Sequence, residues 1–211
     1  MDNARLATIA GTGRVGRSFA FIDLCGFTDF SDDFGDEEAV AELQRLRLAV
    51  RNMAPLFGVR VDKWLGDGVM LVGVESESLV AAVVAVAQRH EHQGHLALRA
   101  GLAVGDVLSL EGDDYVGRVV NLASRLCDAA EAGTVLAATE GLAVPEWVRV
   151  TDERLVPLRG MGAPVPAALL TTDLVLFEHA RPSLGALVSG LTRPVRAALR
   201  ESGLGESGRG A

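Results

Sequence analysis

Phe19-Ala20-Phe21-Ile22-Asp23-Leu24, running on into Cys25-Gly26-Phe27-Thr28, decides how the rest of the chain is read. The first six residues are apolar except for one, which predicts a buried strand with a carboxylate at its end. An unpaired buried charge is costly, so Asp23 either meets a cation or lies exposed where the strand stops. Gly26 then allows backbone N–H groups to approach phosphate oxygens closely. Taken alone, the stretch fits many sites.

The elements around it predict the fold. Asp36 precedes a helical pattern over 37–57 with acids crowding its first turn, and Gly58 follows its end, as the helix dipole and C-cap preferences require. Residues 59–65 and 69–74 read as strands joined across Gly66-Asp67-Gly68, a hairpin signal. A second helix is predicted over 77–93, an extended segment over 96–110 and a third helix over 117–130. Late strands are predicted at 135–138, 155–158 and 168–172. The order β-α-β-β-α-β-α-β predicts an α+β sandwich with helices over one face of a mostly antiparallel sheet.

Two further segments carry chemistry. In Lys63-Trp64-Leu65-Gly66-Asp67-Gly68, strand alternation puts Lys63 on the face of Val59, Val61 and Leu65, where a lysine needs an acceptor. Asp67 could be no more than a turn residue, but two carboxylates from a strand end and a hairpin can also hold two hard cations. In the stretch from Asp114 to Arg125, Asn121 and Arg125 lie four apart and share a helix face. That pair is either solvated or set to face a phosphate, for which arginine is a multidentate donor.

The segments FAFIDLCGFT, KWLGDGVMLVG and DYVGRVVNLASRL resemble, in order and spacing, the three signature segments of class III adenylyl and guanylyl cyclases. The stretch from Leu158 to Val165 resembles the glycine-containing turn before that family's last strand. The likeness runs from about Arg17 to Thr172, and three segments in register make chance a poor explanation. It implies a ferredoxin-like α+β sandwich that converts ATP to 3′,5′-cyclic AMP and pyrophosphate at a homodimer interface. By position, Asp23 and Asp67 resemble the metal-binding aspartates, for two Mg²⁺ or Mn²⁺ ions per site. Lys63 and Asp114 resemble the adenine-reading pair, Asn121 the ribose-orienting asparagine and Arg125 the transition-state arginine. Arg159 resembles a triphosphate-contacting basic residue, and Arg118 departs from the small or polar residues common at its position. A guanylyl cyclase would be expected to carry an acid near 63 and a small polar or thiol residue near 114. A non-catalytic nucleotide sensor of the same fold would be expected to have lost one of the six.

Composition sets bounds on the rest. The 211 residues suit one sizeable core, and a net charge of −8 argues against nucleic-acid binding. Cys25 and Cys127 fit no metal-ligand spacing and read as reduced thiols of a cytoplasmic protein. No signal or transmembrane segment is expected. Residues 1–16 read as an N-terminal extension, 17–173 as the catalytic domain and 174–211 as a C-terminal tail. Within the tail, 184–200 reads as an amphipathic helix, loosely docked in preference to partner- or membrane-binding, and 202–211 as disordered. Gly11, Gly13 and Gly16 fit a dinucleotide-binding spacing, but a strand rather than a helix follows them. His90, His92 and His95 read as a solvated cluster at a helix end, and Trp64 and Trp147 as packing residues.

Overall fold

The computed structural model describes residues 13–110 and 114–172. The expected tail elements at 184–200 and 202–211, and most of the N-terminal extension, lie outside the described residues.

The apolar run around Phe19 belongs to a longer strand, β1 (Gly13–Leu24). Next come α1 (Phe27–Phe34), α2 (Asp36–Met53) and a 3-10 turn (Ala54–Phe57). β2 (Arg60–Leu65) and β3 (Gly68–Gly73) form the expected hairpin, and α3 (Ser76–Glu91) leads to β4 (Leu98–Leu110). The chain closes with β5 (Asp114–Val116), α4 (Arg118–Ala129), β6 (Val135–Ala138), β7 (Val148–Val156) and β8 (Val165–Thr172). The eight strands make one sheet, ordered β2-β3-β1-β4-β6-β8-β7, with β5 paired to β4. Among these pairings only β4–β6 is parallel, and α4 makes the crossover between those two strands. Gly13 and Gly16 lie inside β1, opposite Ser109 and Asp106, so no dinucleotide-binding helix follows them.

Strand alternation divides the apolar residues between two cores. Ala20, Ile22 and Leu24 face α2 and α3, meeting Leu46, Val50, Val80 and Val83. Phe19, Met70 and Ala103 face the opposite way, against Val119, Ala123 and Leu126 of α4. The expectation of helices over a single face is therefore corrected: α4 covers the other one. Leu79 to Val86 are all buried, because α3 is enclosed by the sheet and its neighbours and has no solvent side along that run.

α1 was not expected. Asp, Ser and Phe are indifferent helix formers, but Gly26 takes a left-handed conformation that starts the helix and Phe27 packs on the α2–α3 core. At the far edge of the sheet, β7 is nearly all exposed. Its pairing with β8 shifts between Thr151 and Arg154, and Asp152 takes a positive φ of 50°.

His90 corrects another expectation, because it is buried beside Glu42 rather than solvated. Glu42 accepts hydrogen bonds from the His95 and Leu96 N–H groups at 2.8 and 3.1 Å and from Arg45 at 2.6 Å. His90 Nε2 donates to the Leu96 carbonyl, 2.9 Å away. A Cβ on Gly94 would lie 2.4 Å from His90 Nε2 and 2.7 Å from Glu42, so only glycine closes this corner. Burial pushes the Glu42 pKa up, but the Leu96 N–H, Arg45 and the His95 N–H outweigh it and hold the carboxyl below its usual range. A depressed folded-state pKa stabilises the fold above the unfolded value of about 4.3, and that stability is lost as pH falls through the folded value. Removing one partner of a buried charged network costs about 3–5 kcal/mol. Glu42→Ala should accordingly lower the melting temperature by roughly 10 °C at pH 7. The gap to the wild type should narrow on acidification below about pH 4, which thermal melts across pH will show.

Candidate active site

Asp23 sits at the end of β1, directly opposite Gly68 of β3 and Arg99 of β4. The β2–β3 turn carries Asp67 to the same place. A Cβ on Gly68 would come within 2.9 Å of the Ile22 carbonyl and 3.3 Å of Asp23 Oδ1, so glycine lets the hairpin close on the carboxylate. Burial raises the Asp23 pKa most; Arg99 opposes it, and the nearby Asp67 charge raises it further. The two acidic side chains expected to act together are therefore brought together. Carboxylate oxygens are hard donors of the kind that Mg²⁺ or Mn²⁺ takes.

Arg99 was missed in the sequence. Its Nε and Nη2 donate to Asp23 Oδ2 at 3.1 and 2.8 Å, and its Nη1 to the Asp128 carbonyl at 3.3 Å. The signal was a lone cation in the apolar strand Leu98-Arg99-Ala100-Gly101-Leu102. An arginine there needs a buried acceptor, and the register supplies Asp23. A cleft lined by Phe21, Asp23, Leu65, Gly68, Ser124 and Asp128 opens beside this pair.

Lys63 lies on a different face from the one that simple alternation gives. The β2–β3 register slips between Val61 and Lys63, a bulge that puts Lys63 opposite Met70 on the α4 side. Val61 and Trp64 both pack against the α2–α3 core instead, and Arg47 and Arg51 stack over the Trp64 ring at 5.3 and 5.9 Å. The flip carries Lys63 Nζ to 2.6 Å from Asp114 Oδ1, across 51 positions of sequence. Asp114 also accepts from the Tyr115 N–H. The hydrogen bond raises the Lys63 pKa and, with the Tyr115 N–H, lowers that of Asp114, so both stay charged.

Asn121 and Arg125 share the exposed face of α4, as their spacing predicted, while Val119, Ala123, Leu126 and Cys127 are buried on the other. Arg125 rests 3.5 Å from its own Asp128 and is not drawn to Asp23. Arg118 is exposed in the first turn of α4, and Arg159 is exposed in the turn between β7 and β8. Both cysteines are free, and burial pushes the Cys127 thiol up to about 12, which makes it inert. Trp147 is buried in the core. Among the described residues, no helix is long and apolar enough to cross a membrane.

No protein-family model matches the chain. An uncharacterized protein of Mycobacterium tuberculosis is 38% identical over 152 residues, which are 70% of this chain and 39% of that protein. A pH-sensitive adenylate cyclase of the same species is 34% identical over 122 residues, 56% of this chain and 30% of its own length. The chain thus spans about two fifths or less of these curated relatives. Among solved structures, the adenylyl cyclase CyaB from P. aeruginosa superposes with a TM-score of 0.66 at 26% identity, over 76% of this chain and 95% of that one. The guanylyl cyclase Cya2 gives 0.64 at 22%, a likeness of fold, over 77% of this chain and 94% of that one. With the sheet order, the paired aspartates and the Lys63–Asp114 contact in place, these likenesses make the chain a member of the class III adenylyl/guanylyl cyclase catalytic-domain family.

Proposed function

We propose that this domain is an adenylyl cyclase, converting ATP to 3′,5′-cyclic AMP and pyrophosphate at sites shared by two copies of the chain. The observation that carries the reading is the Lys63–Asp114 pair. It sets a fixed donor beside a fixed acceptor, matching the ring nitrogen and exocyclic amine of adenine. Two divalent cations bound at Asp23 and Asp67 would supply Lewis acidity toward the ribose 3′ hydroxyl and the triphosphate. Arg99 orients Asp23 and keeps its second oxygen free for such a ligand. Asn121 would orient the ribose, and Arg125 would stabilise charge on the α-phosphoryl oxygens as pyrophosphate leaves. No side-chain base is assigned.

The deciding experiment is incubation of purified protein with ATP or GTP plus Mn²⁺ or Mg²⁺, with the cyclic product identified by mass spectrometry. Cyclic AMP is the expected product, and its absence with both metals from a folded dimer overturns the reading. Changing Lys63→Glu and Asp114→Cys together should erode the ATP-over-GTP preference about ten- to a hundredfold, measured as the ratio of kcat/KM values. An unchanged ratio would assign base selection to other groups.

A further inference from the structure

We propose that the outer surface of α1 and α2 is the docking site for residues 181–200 of this same chain. Between Arg17 and Arg45 the sequence has no Lys, Arg or His, yet six carboxylates fall between Asp29 and Glu38. Asp29, Asp32, Asp33, Asp36, Glu37 and Glu38 are all exposed. Among the described residues, none of the six is in an ion pair. Like charges this dense repel one another and draw a basic partner.

The same surface carries apolar side chains that a solvated helix does not need. Phe34 is 63% exposed and stacks on Phe30 at 4.7 Å. Val40 and Leu48 are 49% and 53% exposed and lie on one stripe of α2. A shallow, open depression on α2 is lined by Asp36, Glu37, Val40, Ala41 and Gln44, so acid and apolar side chain share it. Charge with apolar relief at its centre suits an amphipathic, basic segment better than a small ion.

Residues 181–200 have that composition. They hold Arg181, Arg193, Arg196 and Arg200 and no carboxylate, and Leu184, Leu187, Val188 and Leu191 recur at helical spacing. Their point of departure is also close. The ladder Ile22–Ala100–Val135–Leu170 puts Leu170 level with Ile22, so Thr172 leaves the sheet at the end from which β1 enters α1. Three strand spacings, about 14 Å, separate β8 from β1. The eleven residues 173–183 can span up to roughly 36 Å, so the segment reaches α1 without strain. A tether of that length gives a high effective concentration, and a modest contact is enough to hold it.

The test is hydrogen exchange of the full chain, read by mass spectrometry on peptides covering residues 27–48. Arg193→Glu, Arg196→Glu and Arg200→Glu together leave the described fold untouched. They should speed exchange in those peptides about tenfold, and added salt should do the same to the wild type. Adding Asp32→Arg, Asp33→Arg and Glu37→Arg to that variant should restore protection, because the charges are then exchanged. Exchange unaffected by the arginine changes overturns the proposal. So does protection that grows with protein concentration, which would put a second copy's segment on the surface. Arginine-dependent binding to phosphatidylglycerol vesicles, with exchange at 27–48 unchanged, would assign the segment to a membrane and overturn it as well.

Discussion

Asp23→Ala protein mixed with Arg125→Ala protein should regain cyclase activity that neither shows alone. Asp23 is the proposed cation ligand beside Asp67, and Arg125 stands on the exposed face of α4, 3.5 Å from its own Asp128. If each site takes its metals from one copy and its arginine from the other, a symmetric dimer of either variant has two damaged sites. Loss of one charge-stabilising donor costs about 10²–10³ in kcat, and loss of a metal ligand at least as much. A heterodimer of the two variants gathers both lesions into one site and leaves the other whole. It should run at about half the wild-type rate, and an equal mixture at about a quarter. Each variant alters a partly or fully exposed side chain, so the folds should survive. Subunit exchange shown by tagged co-purification, without activity, would mean that both residues act within one chain or that another cyclase chain completes the site.

Gly101→Val should prevent α4 from seating on β4. A Cβ at Gly101 would stand 2.0 Å from the Cys127 nitrogen, 2.3 Å from the Ala123 carbonyl oxygen and 2.6 Å from the Leu126 carbonyl carbon. These are backbone atoms on the buried face of the helix and cannot swing aside as a side chain would. Overpacking ordinarily costs about 1–3 kcal/mol, but here the whole of α4 must move, so a loss above about 4 kcal/mol is expected. Asn121 and Arg125 would move with the helix. The check is a denaturant melt alongside an ATP assay. A variant with a wild-type melt would show that the helix can shift over the sheet freely. Gly105 is the internal control, since a Cβ there would meet only Val119 side-chain carbons at 3.5 Å.

What the sequence made legible was chemistry carried by residue type and local pattern. The β2–β3 turn follows from Gly66-Asp67-Gly68, and the shared face of Asn121 and Arg125 follows from helical spacing. The meeting of Asp23 with Asp67 needs only a strand end beside a hairpin. What escaped depends on contacts distant in sequence. The bulge that turns Lys63 toward Asp114 leaves no mark on alternation, because Val61 and Trp64 look equally fit for either face. Arg99 gains meaning only from the β1–β4 register. The side on which α4 packs is a matter of topology, which apolar periodicity does not encode. His90 looked like one of three surface imidazoles, and only Glu42, forty-eight positions earlier, reveals its burial.

Among the described residues, both outer strands of the sheet are broken. β2 bulges between Val61 and Lys63, and β7 loses register between Thr151 and Arg154, where Asp152 kinks the backbone and pairs with Arg154. A straight margin with free N–H and C=O groups would invite the same margin of another molecule and lead toward fibrils. Kinked, charged margins refuse that growth. Copies of this domain can therefore crowd together without fusing their sheets.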